Sequence, residues 1–411
     1  MYRNFRKTQE EGERILDVIG VVGEFNPFHL GHYTHLCESR RAVGRDAAVV
    51  CVMSGDFVQR GSPAVFDKHV RAEMAAKSGV DLVLELPVPW CVSSAERFAM
   101  GAVGLLDRIG VVTTLSFGSE CGDLAPLSAL AEAAADPAVL ALVRARMGGG
   151  MSFPAAREAV LRETLGESAA LLRSPNNVLG VEYLKALRAL GSAIRPMTTR
   201  RAETVHDAPS SGGLRGASEL RAMLAAGQDV RPYVPLQTWE MHTGLLRSGR
   251  GPVTMESLED AVLSRLRMLP PEAFDRLPDA TEGLGNRLYR AVRAEGSVAA
   301  ILSAVKTKRY PLARLRRMVL CAALGVRAGT GGAVPPYARV LASTERGRAL
   351  LRHMSGGVPV VTKPASAHTL PPQARAIFEL TANARELYVL GYRGEADRRG
   401  GSDWRTTPAI L

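Results

Sequence analysis

The stretch V-I-G-V-V-G-E-F-N-P-F-H-L-G-H, Val18 to His32, constrains this chain more than any other. It opens with an apolar run, Val18 to Val22, short enough to be a buried strand. The run breaks at Gly23, and Asn26-Pro27 ends a strand and sets up a turn. Pro27 fixes its own backbone angle and suits the first turn of a helix. Gly31 removes a side chain where the chain approaches something closely. His29 and His32, three apart, share one face at a helix start. A strand that feeds a helix N-terminus makes an anion site, because free N–H groups and the helix dipole favour negative charge there. Two imidazoles in that site suit a phosphate that gains charge in a transition state. The alternative is a pair of solvent-facing histidines in an ordinary loop. The order strand, turn, helix favours the site.

With 411 residues the chain has room for two domains, or for one with large additions. A hydrophobic content of 46% suits a globular protein with a buried core. No apolar stretch approaches the ~20 residues of a membrane helix. The first seventeen residues are polar and of mixed charge, without the apolar centre of a signal peptide, so an unprocessed cytoplasmic protein is expected. Cys37, Cys51, Cys91, Cys121 and Cys321 are scattered and form no C-x-x-C, so neither a zinc site nor a disulfide framework is expected. A formal net charge of +11 favours a polyanionic partner, with an Arg-rich composition as the rival explanation.

Further apolar runs follow at Ala47–Met53, Leu82–Leu86 and Val111–Phe117, with helical stretches near Asp67–Lys77 and Ala95–Ile109 between them. Short continuous strands alternating with helices predict an α/β, Rossmann-like domain with a parallel sheet covered on both faces. Ligands bind such sheets beyond the carboxyl ends of the strands. The chemically suggestive residues do follow strand ends: Ser54-Gly55-Asp56 after the second, Glu85-Leu86-Pro87 at the third, Gly118-Ser119-Glu120 after the fourth. Residues 121–190 read as helices, with Pro154 and Pro175 as start or loop markers and a last helix over Val178–Ala189. Ile194 to Thr199 reads as a fifth strand, ending in Arg200-Arg201. Ser210-Ser211-Gly212-Gly213 reads as a flexible loop before a helix with Ser218 and Arg221. Beyond Ala226 strand-like runs nearly vanish and Arg-rich amphipathic helices take over. The expected division is an extension over 1–17, a nucleotide-binding domain over 18–228, a mostly α-helical domain over 229–393 and a tail over 394–411. The tail is either disordered or docked by its apolar end.

Several strings carry chemistry, each beside a plainer reading. M-S-G-D-F-V-Q-R-G-S-P-A-V-F-D-K is a Gly-punctuated loop able to close over a small substrate at Ser54 and Gly55. Lys68 and Arg71 after it could hold a carboxylate or triphosphate, or simply pair with Asp67 on a solvated helix turn. In S-P-N-N-V-L-G-V-E-Y, Asn176 or Asn177 could cap a helix. Capping is compatible with a ligand contact, since an asparagine amide both accepts and donates. Arg200-Arg201 could fork phosphate oxygens or be a solvated pair. Lys306-Thr307-Lys308-Arg309-Tyr310, with Arg314, Arg316 and Arg317, is the densest basic cluster and includes a ring on which an RNA base could stack. Its plainer reading is a solvated basic face.

The H-x-G-H string resembles the signature of the adenylyl-transferring nucleotidyltransferases. E-F-N-P-F-H-L-G-H, with the long strings above in order from Val18 almost to the end, resembles the narrower bacterial tRNA(Met) cytidine acetate ligase family. That family mostly has Tyr where Phe25 stands and a polar residue where Leu30 stands. It also has Ser-Ala-Thr where this chain has Gly216-Ala217-Ser218, so one hydroxyl is lost while Ser218 keeps another. The resemblance implies ATP binding by Val22, Gly23, Glu24, Phe25, Asn26, Pro27, Phe28, Gly31, Gly118, Asn176, Arg200, Arg201, Ser218 and Arg221. It implies catalysis by His29 and His32, with acetate held near Ser54, Gly55, Lys68 and Arg71. It further implies RNA binding by the cluster from Lys306 to Arg317.

The reaction it implies has two steps. Acetate attacks the α-phosphate of ATP to give acetyl-adenylate and pyrophosphate, and the wobble cytidine of elongator tRNA(Met) then takes the acetyl group as N4-acetylcytidine, releasing AMP. Mg2+ is expected to ride with ATP, with no dedicated metal ligands and no obligate protein partner. The rivals are a small-molecule adenylyltransferase and a non-catalytic RNA-binding protein on the same scaffold.

Overall fold

The computed structural model describes residues 17–201, 214–354 and 356–411. Almost all of the N-terminal extension, and the Ser210–Gly213 loop, lie outside the described residues.

Alternate residues of each strand point to opposite faces of the sheet, and here they sort into two hydrophobic cores. Strand β1 (Val18–Gly23) sends Val18 to one face and Ile19 and Val21 to the other. Strand β2 (Ala48–Ser54) does the same with Ala48, Val50 and Val52 against Val49, Cys51 and Met53. The first face is covered by the helix Ala95–Arg108 and most later helices, the second by helices α1 (Leu30–Val43) and α2 (Lys68–Lys77). Buried on both faces, these strands read as continuous apolar runs.

A hairpin of β3 (Phe57–Val58) and β4 (Ser62–Pro63) follows β2. Strands β5 (Leu82–Leu86), β6 (Thr114–Ser119) and β7 (Arg195–Arg200) complete a parallel order β5-β2-β1-β6-β7. The strand order reverses between β1 and β6, and that crevice is where ligands bind in sheets of this kind. The fourth strand begins at Thr114 rather than Val111.

The C-terminal part also contributes strands, which corrects the expectation that they nearly vanish after Ala226. Strand β8 (Ala338–Ser343) joins the outer edge of β5 antiparallel, so the sheet is mixed. Strands β9 (Val360–Val361) and β10 (Ala409–Ile410) pair with β8. The sheet is thus built from both sides of the division expected between 228 and 229, around a mostly helical second part.

The tail docks. Trp404 stacks on His368 at 5.0 Å and packs on Phe378 at 4.9 Å. Buried Asp403 accepts from Lys68 Nζ at 2.8 Å and from Arg339 Nη1 at 2.7 Å, and Glu85 Oε1 lies 2.7 Å from the same Nζ. Arg385 adds a second buried pair with Asp56 at 3.2 Å. His242 stacks on Phe66 at 4.6 Å, with both ring nitrogens buried and without a partner among the described residues.

No single described helix is long and apolar enough to cross a membrane. A pair bent by 73°, Leu124–Ala135 and Pro137–Gly148, passes by length and composition, yet it places Leu127, Leu130, Val139 and Val143 in the core.

Candidate active site

The crevice between β1 and β6 opens on the first turn of α1. Pro27 lies in the turn before the helix, not in its first turn as the sequence suggests, and His29 takes the cap position. The His29 Nδ1 accepts from the Gly31 N–H at 3.1 Å, and the His29 N–H donates to the His32 Nδ1 at 3.3 Å. Each imidazole thereby uses one nitrogen as an acceptor, which leaves the proton of a neutral ring on Nε2. The rings stack with centroids 3.8 Å apart. What approaches Gly31 closely is the His29 ring itself: a Cβ there would stand 2.9 Å from its Cε1. Phe25, at φ 45°, turns its ring against Phe28 and His32, at 4.9 and 5.1 Å. A non-glycine residue in that region is strained, a condition that collects at functional sites.

Burial above all, then the charges of Arg201 and Arg221, lowers the His29 pKa to about 3. His32 is held well below the ordinary range by burial, then by His29 and Arg201. Both rings are therefore neutral near pH 7. The buried His29 Nε2–H has no partner among the described residues, so a donor stands ready for a ligand acceptor.

The ends of β6 and β7 form the opposite wall. Gly118 leaves room for Arg201, whose Cγ would lie 2.9 Å from a Cβ there. Arg201 Nη1 donates to Asn176 Oδ1 at 3.2 Å, and Asn176 Nδ2 donates to Glu120 Oε1 at 2.7 Å. Neither Asn176 nor Asn177 caps the helix Pro175–Leu190. The Glu120 carboxylate does, accepting from their backbone N–H groups at 3.1 and 2.8 Å. The Asn177 Oδ1 in turn accepts from the N–H groups of Glu120 and Cys121 at 3.0 and 3.2 Å. Arg200 is set apart from this wall and covers the turn at Gly122. From the helix Ala217–Ala225, Arg221 donates to the Asn26 carbonyl at 2.9 Å and to Ser218 Oγ at 2.8 Å.

Under the loop after β2, Lys68 and Arg71 are fully buried rather than on a solvated turn. Buried cations need partners, and these are engaged by the protein: Lys68 by Glu85 and Asp403, Arg71 by the carbonyls of Glu24, Ser54, Gly55 and Phe66. They hold the loop in shape from below. Ser54 Oγ is buried there beside the Cys91 thiol.

In the basic cluster, Lys306, Lys308 and Arg316 are exposed. Arg309 pairs with Glu282 at 2.5 Å, Arg314 bonds Thr281 at 2.9 Å, and Arg317 lies 3.6 Å from Asp279. Tyr310 is only 8% exposed, under the Arg314 guanidinium at 5.3 Å. Its place in the core corrects the expectation that its ring stacks on an RNA base.

His35 escapes the sequence reading, and Glu120 enters it only as part of the run that follows the fourth strand, with no role of its own. His35 Nδ1 lies 2.8 Å from Thr199 Oγ1, tying α1 to β7. Its spacing of three from His32 continues the H-x-x-H face and was the available signal. The capping role of Glu120 has no such signal, because its partners come from a helix over fifty residues away.

The model of the HIGH nucleotidyl transferase family matches residues 16–403, and the chain belongs to that family. Within it, the chain belongs to the tRNA(Met) cytidine acetate ligase family. It is 34% identical over 416 residues to the tRNA(Met) cytidine acetate ligase of Acetivibrio thermocellus, covering 96% of this chain and 100% of that one. It is 35% identical over 399 residues to that of Caldanaerobacter subterraneus, covering 93% and 97%. The crystal structure of Thermotoga maritima TmcAL bound with alpha-thio ATP superposes with a TM-score of 0.88 at 33% identity, covering 96% of this chain and 100% of that one.

Proposed function

We propose that this chain acetylates the wobble cytidine of elongator tRNA(Met) in two steps, the first of which consumes ATP. The observation that carries the reading is the unpartnered His29 Nε2–H, buried at a helix N-terminus within the field of Arg201 and Arg221. Relatives named tRNA(Met) cytidine acetate ligase, and a structural neighbour that binds an ATP analogue, support it.

In the first step a carboxylate oxygen of acetate attacks the α-phosphorus of ATP and pyrophosphate leaves. Transfers of this kind need positioning and charge stabilisation more than covalent help. His29 and His32 donate to phosphate oxygens as neutral rings, so neither must lose a proton first. Arg201 and Arg221 supply the fixed positive charge, and the free N–H groups of α1 add to it. Ser54 and Gly55 wall the acid pocket, with Lys68 and Arg71 holding that wall. In the second step the cytidine amine attacks the acetyl carbonyl, a proton is lost and AMP leaves. Mg2+ would arrive on the triphosphate. Of the carboxylates around the crevice, Glu24 accepts from the Gln59 N–H at 2.7 Å and Glu120 caps a helix. The part beyond Gln228 presents the tRNA, and the substrate implies a cytoplasmic location.

The test is nucleoside analysis of elongator tRNA(Met) incubated with the protein, ATP and acetate. N4-acetylcytidine that depends on all three supports the proposal. Acetate-dependent adenylate without tRNA acetylation would point instead to a small-molecule adenylyltransferase.

A further inference from the structure

The hairpin β3–β4 touches both halves of the machinery. On its inner side the Gln59 N–H donates to Glu24 Oε1 at 2.7 Å, and Gln59 Nε2 donates to the Ser93 carbonyl at 3.0 Å. Glu24 belongs to the strand-to-helix turn that carries His29. On its outer side Gly61, at φ +76°, rests on the backbone of the basic helix Leu312–Leu324. A Cβ at Gly61 would stand 2.6 Å from the Arg317 nitrogen and 2.7 Å from the Arg316 carbonyl carbon. Only glycine combines that backbone angle with so close an approach.

At the tip between these two contacts stands Arg60. It is exposed and makes no hydrogen bond or ion pair among the described residues. Arg316 is likewise exposed, and its backbone touches the hairpin. On the other side, the Arg60 charge reaches Arg221 at the nucleotide site. An unpaired guanidinium is suited to fork the oxygens of a phosphodiester. Arg316 and Arg60 thus mark a short cationic path from the basic helix to the crevice.

We propose that the β3–β4 hairpin is the seam along which the RNA strand passes from the basic helix to the nucleotide site, with Arg60 binding a backbone phosphate beside the acceptor base. This rests on the reading of the chain as a tRNA acetylating enzyme. The fixed Gly61 contact explains why the path holds its geometry: the hairpin cannot slide along the helix without losing its seat on the Arg316–Arg317 backbone.

The test uses the full chain, transcribed elongator tRNA(Met), ATP and acetate. Wild-type acetylation of the tRNA is measured first, and its absence would defeat the reading of function rather than the seam. With that activity in hand, Arg60→Ala should raise the KM for tRNA by about tenfold, and Arg60→Glu by more. The slope of log affinity against log salt should flatten by about one phosphate contact, roughly 0.7 to 0.9. Any loss in acetate-dependent ATP–pyrophosphate exchange should be much smaller than the loss in transfer. An unchanged KM and salt slope for tRNA would overturn the proposal. So would an exchange defect as large as the transfer defect, because Arg60 would then serve ATP. Gly61→Ala, followed with a melting curve, should also impair transfer more than exchange if the folded variant retains the sheet.

Discussion

Asp403 and Lys68 lie 335 residues apart in the chain, yet the carboxylate of one is 2.8 Å from the ammonium of the other, both buried. The pair fastens the last turns of the chain beneath the Gly-punctuated loop after β2. The same carboxylate holds Arg339 of β8.

Asp403→Ala leaves Lys68 and Arg339 buried with Glu85 as their shared counter-charge. Removing one member of a buried ionic cluster costs about 3–5 kcal/mol. Denaturant unfolding should show a loss of that order, well above that from Asp403→Asn, which keeps a polar atom on each side. A change under about 1 kcal/mol for Asp403→Ala would mean that water enters and replaces the carboxylate.

His29→Ala and His32→Ala should each lower acetate-dependent ATP–pyrophosphate exchange by on the order of 100-fold, as loss of one preorganised donor does. Each also removes half of a mutual cap, at about 1 kcal/mol of stability. Near-normal exchange in both variants would end the assignment of these residues to the phosphates.

His242 offers a pH test away from the site. Burial lowers its pKa to about 4, against about 6.5 in an unfolded chain. The folded ring stays neutral while the unfolded one takes up a proton, so stability falls as pH drops from 6.5 towards 4. This one group contributes up to about 1.4 kcal/mol per pH unit. His242→Phe removes that proton uptake along with two unpartnered nitrogens. The variant should be more stable at neutral pH by about 1 kcal/mol and lose stability less steeply under acid. Parallel pH profiles for variant and wild type would show the ring to be solvated.

His35→Ala cuts the link from α1 to Thr199, two residues before Arg201 on the opposite wall. Loss of one such hydrogen bond is worth about 1 kcal/mol. The expected outcome is a KM for ATP raised about fivefold with kcat little changed. An effect confined to the melting temperature would reduce His35 to a packing residue.

Lys306 and Lys308 are exposed, whereas Arg309 already answers Glu282. The double change Lys306→Glu with Lys308→Glu should weaken tRNA binding and lower the salt slope by about 2, while pyrophosphate exchange stays near wild type. Collapse of exchange with an unchanged melting curve would show that the two parts of the chain are coupled in catalysis.

The first strands were legible because burial on both faces leaves uninterrupted apolar runs such as Ala48–Met53. Strand β8 was not, since Arg339 breaks its pattern. That residue is buried only because Asp403 and Glu85 meet it from elsewhere in the fold. The histidine pair was legible as a shared helix face. Its neutral state was not, because burial and the distant arginines set it. Tyr310 misled for a related reason: its basic neighbours in sequence face solvent while its own ring turns inward. The seat of Gly61 on the basic helix joins segments over 250 residues apart, beyond the reach of any local pattern.

The late arrival of β8 has a consequence during synthesis. Glu85 and its partner Arg339 are separated by 254 residues, so the outer edge of β5 stays bare while the ribosome adds them. At about 5–20 residues per second this lasts roughly 13–50 s. For that time an apolar strand, Leu82–Leu86, presents open N–H and C=O groups of the kind on which chains associate. Fragments that stop short of Ala338 should therefore be captured by chaperones or aggregate, even though they contain His29, His32, Arg201 and Arg221 of the crevice between β1 and β6.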